Sequence, residues 1–305
     1  NIYTLKKFIQ ALIIVVIPML LTLAQPDFGS AIVNIPIFLV MLFLAGARLK
    51  HLIYIIITGA LVIYFTALPA WSQYIVQEEV LIVKVLTEFD TLKYVLLALA
   101  VLILLSFGGL RFFKASYYYW IIYVTSSLLL SLIGAIGGRM VLKGYQIMRL
   151  IIFIDPQVDP QGAGWNMIQS ITAVGSGGFW GRGFLEGTQS HLQYLPQQSS
   201  DFIFSIFTEE AGFVGAVVVF ALYTLLLIRA LIVIDSSNDR FGVAVGGGIV
   251  GMIFFHVIIN TGMAIGIMPI TGIPLFFLSY GGSSLWTASI GIGILLSIYQ
   301  RRYRN

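Results

Sequence analysis

Cysteine is absent from the 305 residues, which excludes disulfides, thiolate metal sites and cysteine nucleophiles together. Histidine is nearly absent: His51, His191 and His256 stand far apart, so a His-rich metal cage is not expected. Charge is scarce as well. Charged residues make up 10% of the chain against 59% hydrophobic, where a soluble domain has about 25% charged and about 45–50% apolar. So few charges cannot cover a globule of this size, and the chain must use lipid as its solvent. The mean hydropathy of +0.96 agrees. The net charge of +4 is too small and too dispersed for a nucleic-acid footprint. The chain starts at Asn1 without Met or a signal-peptide pattern, and reads as a fragment or trimmed form of an integral membrane protein.

What is present is a series of long apolar runs. Eight are long enough to cross a hydrocarbon core: 6–24, 29–47, 50–70, 93–109, 117–138, 206–228, 241–262 and 279–299. The expected fold is an all-α integral membrane protein, a polytopic bundle of about eight transmembrane helices in one membrane domain, 1–305. Gly108 and Gly109 shorten the fourth span, and segment 71–92 reads as an amphipathic stretch at the interface. Orientation follows from Lys and Arg. With the N-terminus inside, the inner segments hold Lys6, Lys7, Arg48, Lys50, Arg111, Lys114, Arg229, Arg240, Arg301, Arg302 and Arg304. Only Asp235 and Asp239 oppose them there. Both termini are therefore expected in the cytoplasm.

The long polar stretch 139–205 then faces outward. It has little apolar periodicity, but it is rich in Trp, Phe and Gly, and a loop beyond ~15 residues is usually functional or disordered. A second outer segment, 263–278, has no charge and carries Gly266, Pro269, Gly272 and Pro274. Irregular backbone of this kind is tolerated at membrane depth only where protein buries it or a cavity opens beside it. Asp201 stands out in the long loop. It lies where Gln197, Gln198, Ser199 and Ser200 meet Phe202, Ile203 and Phe204, and a carboxylate at the rim of a membrane cavity is a functional candidate. Partial desolvation suits a carboxylate to general-base work. The competing reading is a helix N-cap. Asp155 and Asp159, each before a proline, read as turn residues. Gly175-Ser176-Gly177-Gly178 could be a phosphate nest or a tight turn.

The loop runs through Asp155-Pro156-Gln157-Val158-Asp159, Gly181-Arg182-Gly183, Gly187-Thr188-Gln189-Ser190 and Leu195 to Asp201, with Glu209-Glu210 beyond. Gln25-Pro26-Asp27-Phe28-Gly29-Ser30, Asn260, Gly272-Ile273-Pro274 and Ser279 to Ser283 accompany it. In order and spacing this set resembles the SEDS family (shape, elongation, division and sporulation), and the 187–190 motif is similar to its elongation branch. The resemblance is dense from 145 to 290. It implies a peptidoglycan glycosyltransferase that polymerises lipid II at the outer face of the bacterial cytoplasmic membrane, with ten spans in most members. On that comparison about four N-terminal helices are missing, and 71–138 is an insertion with two extra spans. Asp27 is implied to tie its turn to the long loop.

The resemblance also assigns roles. Asp201 takes the catalytic position. Arg139, Lys143, Arg149 and Arg182 are the outer cations suited to a departing pyrophosphate, against the plainer reading of lipid-headgroup contact. Gln189, Ser190 and Glu210 are placed with them as substrate-binding residues, although Glu210 could equally anchor a helix end near 206. A divalent cation, Mg or Mn, is implied, with no ligands named. Implied partners are lipid II, a class B penicillin-binding protein, rod-complex membrane proteins and membrane lipid, with no nucleic acid. Two other functions stay open: a lipid II flippase and a scaffold for a cell-wall synthase. The scarcity of charge within the spans favours chemistry at the outer face over passage.

Overall fold

A computed structural model describes residues 5–25, 28–78, 80–191, 194–237 and 239–301; Asp27 lies outside the described residues. The described chain is helical, with no strand. The spans expected from sequence appear as α1 (Leu5–Ala24), α2 (Phe28–Leu44), α3 (Leu49–Trp71), α5 (Phe89–Phe113), α6 (Ser116–Val141), α10 (Ile203–Asp235), α11 (Arg240–Ala264) and α12 (Gly282–Arg301). The shorter helices are α4 (Leu81–Thr87), α7 (Gly144–Ile154), α8 (Ala163–Ser176) and α9 (Thr188–His191). Among the described residues, six helices are long and apolar enough to cross a membrane: α3 with its π-helical extension to Val76, α5, α6, α10, α11 and α12. In α1 and α2 the apolar stretches are shorter, Lys7–Thr22 and Gly29–Leu44.

The described residues fall into two compact units, one of Asn1–Arg48 with Asp159–Asn305 and one of Leu49–Val158. The 71–138 stretch lies inside the second, and the 139–205 stretch is divided between them. In the second unit, α3 packs on α6 through polar rungs. Tyr54 donates to Ser126 Oγ at 3.0 Å, and Thr58 and Ser127 hydroxyls meet at 2.9 Å. Such interhelical bonds in lipid are each worth about 0.6 kcal/mol, so close packing must supply the rest. The fourth span is longer than expected because its glycines do not end it. A Cβ on Gly109 would lie 2.3 Å from the Tyr118 ring, so the small residue lets α5 and α6 approach. Segment 71–92 holds the π-helical turn Ser72–Val76, then α4 and the start of α5, with Leu81, Ile82 and Phe89 exposed.

In the first unit, α10, α11 and α12 share an apolar core that includes Phe204, Ile253, Leu275 and Phe276. Helix α2 lies on α11 where glycines open the surface: a Cβ on Gly247 would meet Leu44 at 2.0 Å. The 265–281 connection is irregular, and its middle is largely buried, with Ile273, Leu275 and Phe276 in the interior. Burial in protein is what such backbone requires at membrane depth. His256 packs here, stacked on Phe276 with its Nδ1 3.0 Å from the Pro274 carbonyl.

The long loop departs from expectation, since α7 and α8 occupy much of it. The buried face of α8 is Gly164, Met167, Ser170 and Ala173, a helical spacing written in small residues that a search for bulky apolar periodicity passes over.

Candidate functional site

Asp201 sits in a short turn immediately before α10. Gln197, held at φ +50°, turns the chain so that its carbonyl accepts from the N–H groups of Ser200, Asp201 and Phe202 at 3.2–3.4 Å. The buried connection then grips the outer side of this turn. Tyr280 N–H donates to the Ser199 carbonyl at 2.8 Å and Ser279 Oγ to the Ser200 carbonyl at 2.7 Å. Asn260, on α11 and 0% exposed, donates its amide to the carbonyls of Asp201 (2.8 Å) and Ile273 (2.7 Å). Three successive carbonyls, Ser199 to Asp201, are thus fixed from outside the turn. Asp201 itself is half-buried, and the following Phe202 is buried. The N-cap position of α10 belongs to Phe202, not Asp201. Gly272 approaches at φ +73°, and a Cβ there would stand 3.3 Å from Asp201 Oδ2; only glycine takes that backbone freely and leaves the carboxylate its room.

A second cluster lies further along α10 at Glu209, about 9 Å by helical rise beyond the start of the helix at Ile203. Glu209 is 0% exposed. Its Oε1 accepts from Gln189 N–H (3.0 Å), Thr188 Oγ1 (3.1 Å) and Ser176 Oγ (3.4 Å). Arg182 is exposed but oriented: Nε donates to the Ser176 carbonyl at 3.2 Å, and Nη1 to Thr188 Oγ1 at 3.0 Å. The guanidinium and the buried carboxylate are therefore linked through one hydroxyl. The backbone beneath is an exchange between the glycine loop and a break in α10. Gly212 has φ +66° and ψ −164°, and a Cβ there would lie 2.2 Å from Gly181 N. Across the break, Arg182 and Gly183 donate to the Glu209 and Glu210 carbonyls, and Phe213 and Val214 to those of Gly178 and Phe179. Gly177 is equally pressed, since a Cβ would fall 2.0 Å from the Thr208 carbonyl. Gly175 and Ser176 close α8; Gly177 then serves close backbone contact, while Gly178 has open space around it and turns the chain at φ +56°.

The structure thus brings Arg182, Gln189 and the 209–210 turn together. Glu210 is half-buried and joins through its carbonyl, so the carboxylate at the centre is Glu209, which sequence reading passed over. A signal existed. With α10 starting at Ile203, three residues before the expected 206, Ser205, Thr208, Glu209 and Gly212 form one buried stripe, and Glu210 falls off it. Ser190 lies in α9, its side chain outside the described residues. Arg139, Lys143 and Arg149 belong to the second unit. There Arg139 Nε donates to the Ala135 carbonyl at 3.3 Å, Lys143 is exposed at the start of α7, and Arg149 lies 5.9 Å over the Tyr145 ring. Asp155 accepts from Gln157 N–H and Asp159 from Ala163 N–H, the turn roles expected of them. Among the described residues, four buried side-chain polar atoms have no hydrogen-bond partner: Gln189 Oε1, Gln198 Oε1, Asn260 Oδ1 and Thr271 Oγ1. Both amide hydrogens of Asn260 face carbonyls, which fixes its oxygen's orientation. Among the described residues no three His, Asp or Glu side chains converge as a metal cage.

A polytopic helical membrane protein with a carboxylate turn and a glycine loop locked to its long loop-to-span helix is the class these features define. The family is given by comparison: the sequence pattern of FTSW_RODA_SPOVE, described as cell cycle protein, matches residues 3–82 and 68–304. The chain belongs to this family. It is 46% identical over 98% of its length to the "Peptidoglycan glycosyltransferase RodA" of Treponema pallidum, and spans 69% of that protein. It is 40% identical over 66% of its length to the "Peptidoglycan glycosyltransferase MrdB" of Escherichia coli, spanning 54% of it. With the Bacillus subtilis "Stage V sporulation protein E" the identity is 31% over 96% of the chain and 60% of the relative.

Proposed function

We propose that the chain carries the catalytic part of a peptidoglycan glycosyltransferase, which polymerises lipid II at the outer face of the bacterial cytoplasmic membrane during cell elongation. The observation that carries this reading is the turn at Asp201: a half-buried carboxylate whose backbone is fixed at three successive carbonyls. Fixed geometry of this kind is what general-base catalysis needs. In the proposed reaction Asp201 takes the proton from the 4-hydroxyl of a lipid II acceptor. That oxygen bonds to the anomeric carbon of the growing glycan with inversion, as the bond from this carbon to the polyprenyl diphosphate breaks. Arg182, already oriented by Ser176 and Thr188, balances the charge of the leaving diphosphate. Gln189 Oε1, Gln198 Oε1 and Thr271 Oγ1 are buried acceptors left for ligand or water, since each unmet group costs ~1–3 kcal/mol. Ser190 and Glu210 belong to the same substrate surface, and in this reading Arg139, Lys143 and Arg149 are further cations for lipid II, whose place relative to that surface is left open. A Mg or Mn ion enters this reading by family resemblance alone, with no protein ligands assigned; bound, it would offset negative charge on the diphosphate. The partners in this reading are a class B penicillin-binding protein and the rod-complex membrane proteins.

The test is purified protein in liposomes with lipid II, with glycan polymer and lipid II sidedness measured in the same vesicles. Polymer formation supports the enzyme. Lipid II redistribution without polymer would establish the flippase, and neither event, with a synthase partner active only in its presence, would establish the scaffold.

A further inference from the structure

The glycine loop exposes its largest apolar side chains. Trp180 is 78% exposed, Phe184 83% and Leu185 65%, the last at φ +62°. A leucine held in the left-handed region and turned outward is unusual, since this backbone is strained for any side chain but glycine. The loop is not a loose flap. Its backbone is bonded on both sides of the break at Gly212, with Arg182 and Gly183 on Glu209 and Glu210, and with Phe213 and Val214 on Gly178 and Phe179. Its height is therefore tied to α10.

That height can be calculated. The 23 residues from Phe213 to Asp235 are continuous helix beyond the break, about 35 Å at 1.5 Å per residue, against a hydrocarbon core of ~30 Å. This part of α10 suffices to cross the bilayer, which places the break, and the loop bonded to it, at one interface. The apolar surface is also continuous. Phe179 stacks on Phe213 at 5.8 Å, and Phe213 heads an exposed stripe with Val217 and Phe220 at helical spacing along α10.

We propose that residues 177–186 form an interfacial membrane anchor, which seats Trp180, Phe184 and Leu185 at the boundary between headgroups and acyl chains of the adjoining leaflet. Tryptophan favours this depth. The occupant is bilayer lipid, because the patch extends the exposed apolar stripe of a membrane-crossing helix. The anchor does not depend on the proposed reaction.

The cysteine-free sequence permits a direct test on the whole chain in phosphatidylcholine nanodiscs. Spin labels at Phe184→Cys and Trp180→Cys are compared with Val218→Cys on the exposed face of α10 and Gln161→Cys in the loop, using oxygen and a water-soluble nickel chelate as relaxants. The anchor predicts that both loop labels resemble the label at 218, with oxygen relaxation exceeding that by nickel. Two sites guard against one substitution disturbing the loop. If both behave like the label at 161, the loop stands in water as a surface for a protein partner, and the proposal is overturned.

Discussion

Removing the buried carboxylate of Glu209 should loosen the loop that carries Arg182, and the structure sets the size of the effect. All three donors meet a single oxygen, Oε1. Two of them have alternatives: Ser176 Oγ also donates to the Ala173 carbonyl at 2.9 Å, and Thr188 is exposed to solvent. Gln189 N–H has a fixed direction, so Glu209→Ala strands at least one part-buried donor, at ~1–3 kcal/mol. The truncated side chain adds a small cavity term. A loss of about 2–4 kcal/mol follows for Ala. Glu209→Gln keeps an oxygen where Oε1 stands and loses charge assistance, which roughly halves such bonds, so about 1 kcal/mol is expected. Thermal unfolding of detergent-purified protein should rank wild type above Gln and Gln above Ala. Proteolysis within 177–191 should accelerate in the reverse order. If Ala matches wild type, or Gln is as damaged as Ala, Glu209 does not organise this loop.

Two further outcomes follow from the same geometry and from the charge pattern. Gly212→Ala should destabilise by more than the ~1–3 kcal/mol of a strained backbone alone, because its methyl would meet Gly181 N. Gly137→Ala, with open space around it, should stay near wild type in the same unfolding measurement. For sidedness, Ser190→Cys should react with a membrane-impermeant thiol reagent in intact cells and Ser236→Cys should not; the opposite pattern would reverse the orientation.

Much of this architecture is legible in the sequence, because lipid leaves helices few alternatives. All eight apolar runs became helices, and the junction at Asp201 could be located from Ser200 and Phe202 alone. Two of the readings that failed share a cause. Gly108 and Gly109 resembled a helix end, and α8 resembled a loop, because their packing faces are mostly small residues in place of bulky apolar ones. Glu209 lost to Glu210 because choosing between adjacent carboxylates requires knowing the buried face, and a helix begun at 206 leaves Ser205 out of the stripe that marks it. The break at Gly212, where loop and helix exchange backbone bonds across 27 to 35 residues of sequence, leaves no local mark beyond a glycine. Asn260 shows the same limit, since its two carbonyl partners lie 59 and 13 residues away.

The central claim is that Asp201 is the base that activates the acceptor hydroxyl, and one substitution tests it most directly. Asp201→Asn keeps size and hydrogen-bonding capacity but cannot take a proton at neutral pH. The turn is held through backbone carbonyls, so it should survive. Glycan formation from lipid II, measured at matched levels of folded protein with the proposed class B penicillin-binding protein partner, should fall by ~10²–10⁴-fold in Asp201→Asn and remain near wild type in Asp155→Asn. Near-normal polymer from folded Asp201→Asn would contradict the account, and loss confined to Asp155→Asn would move the chemistry to the other end of the loop.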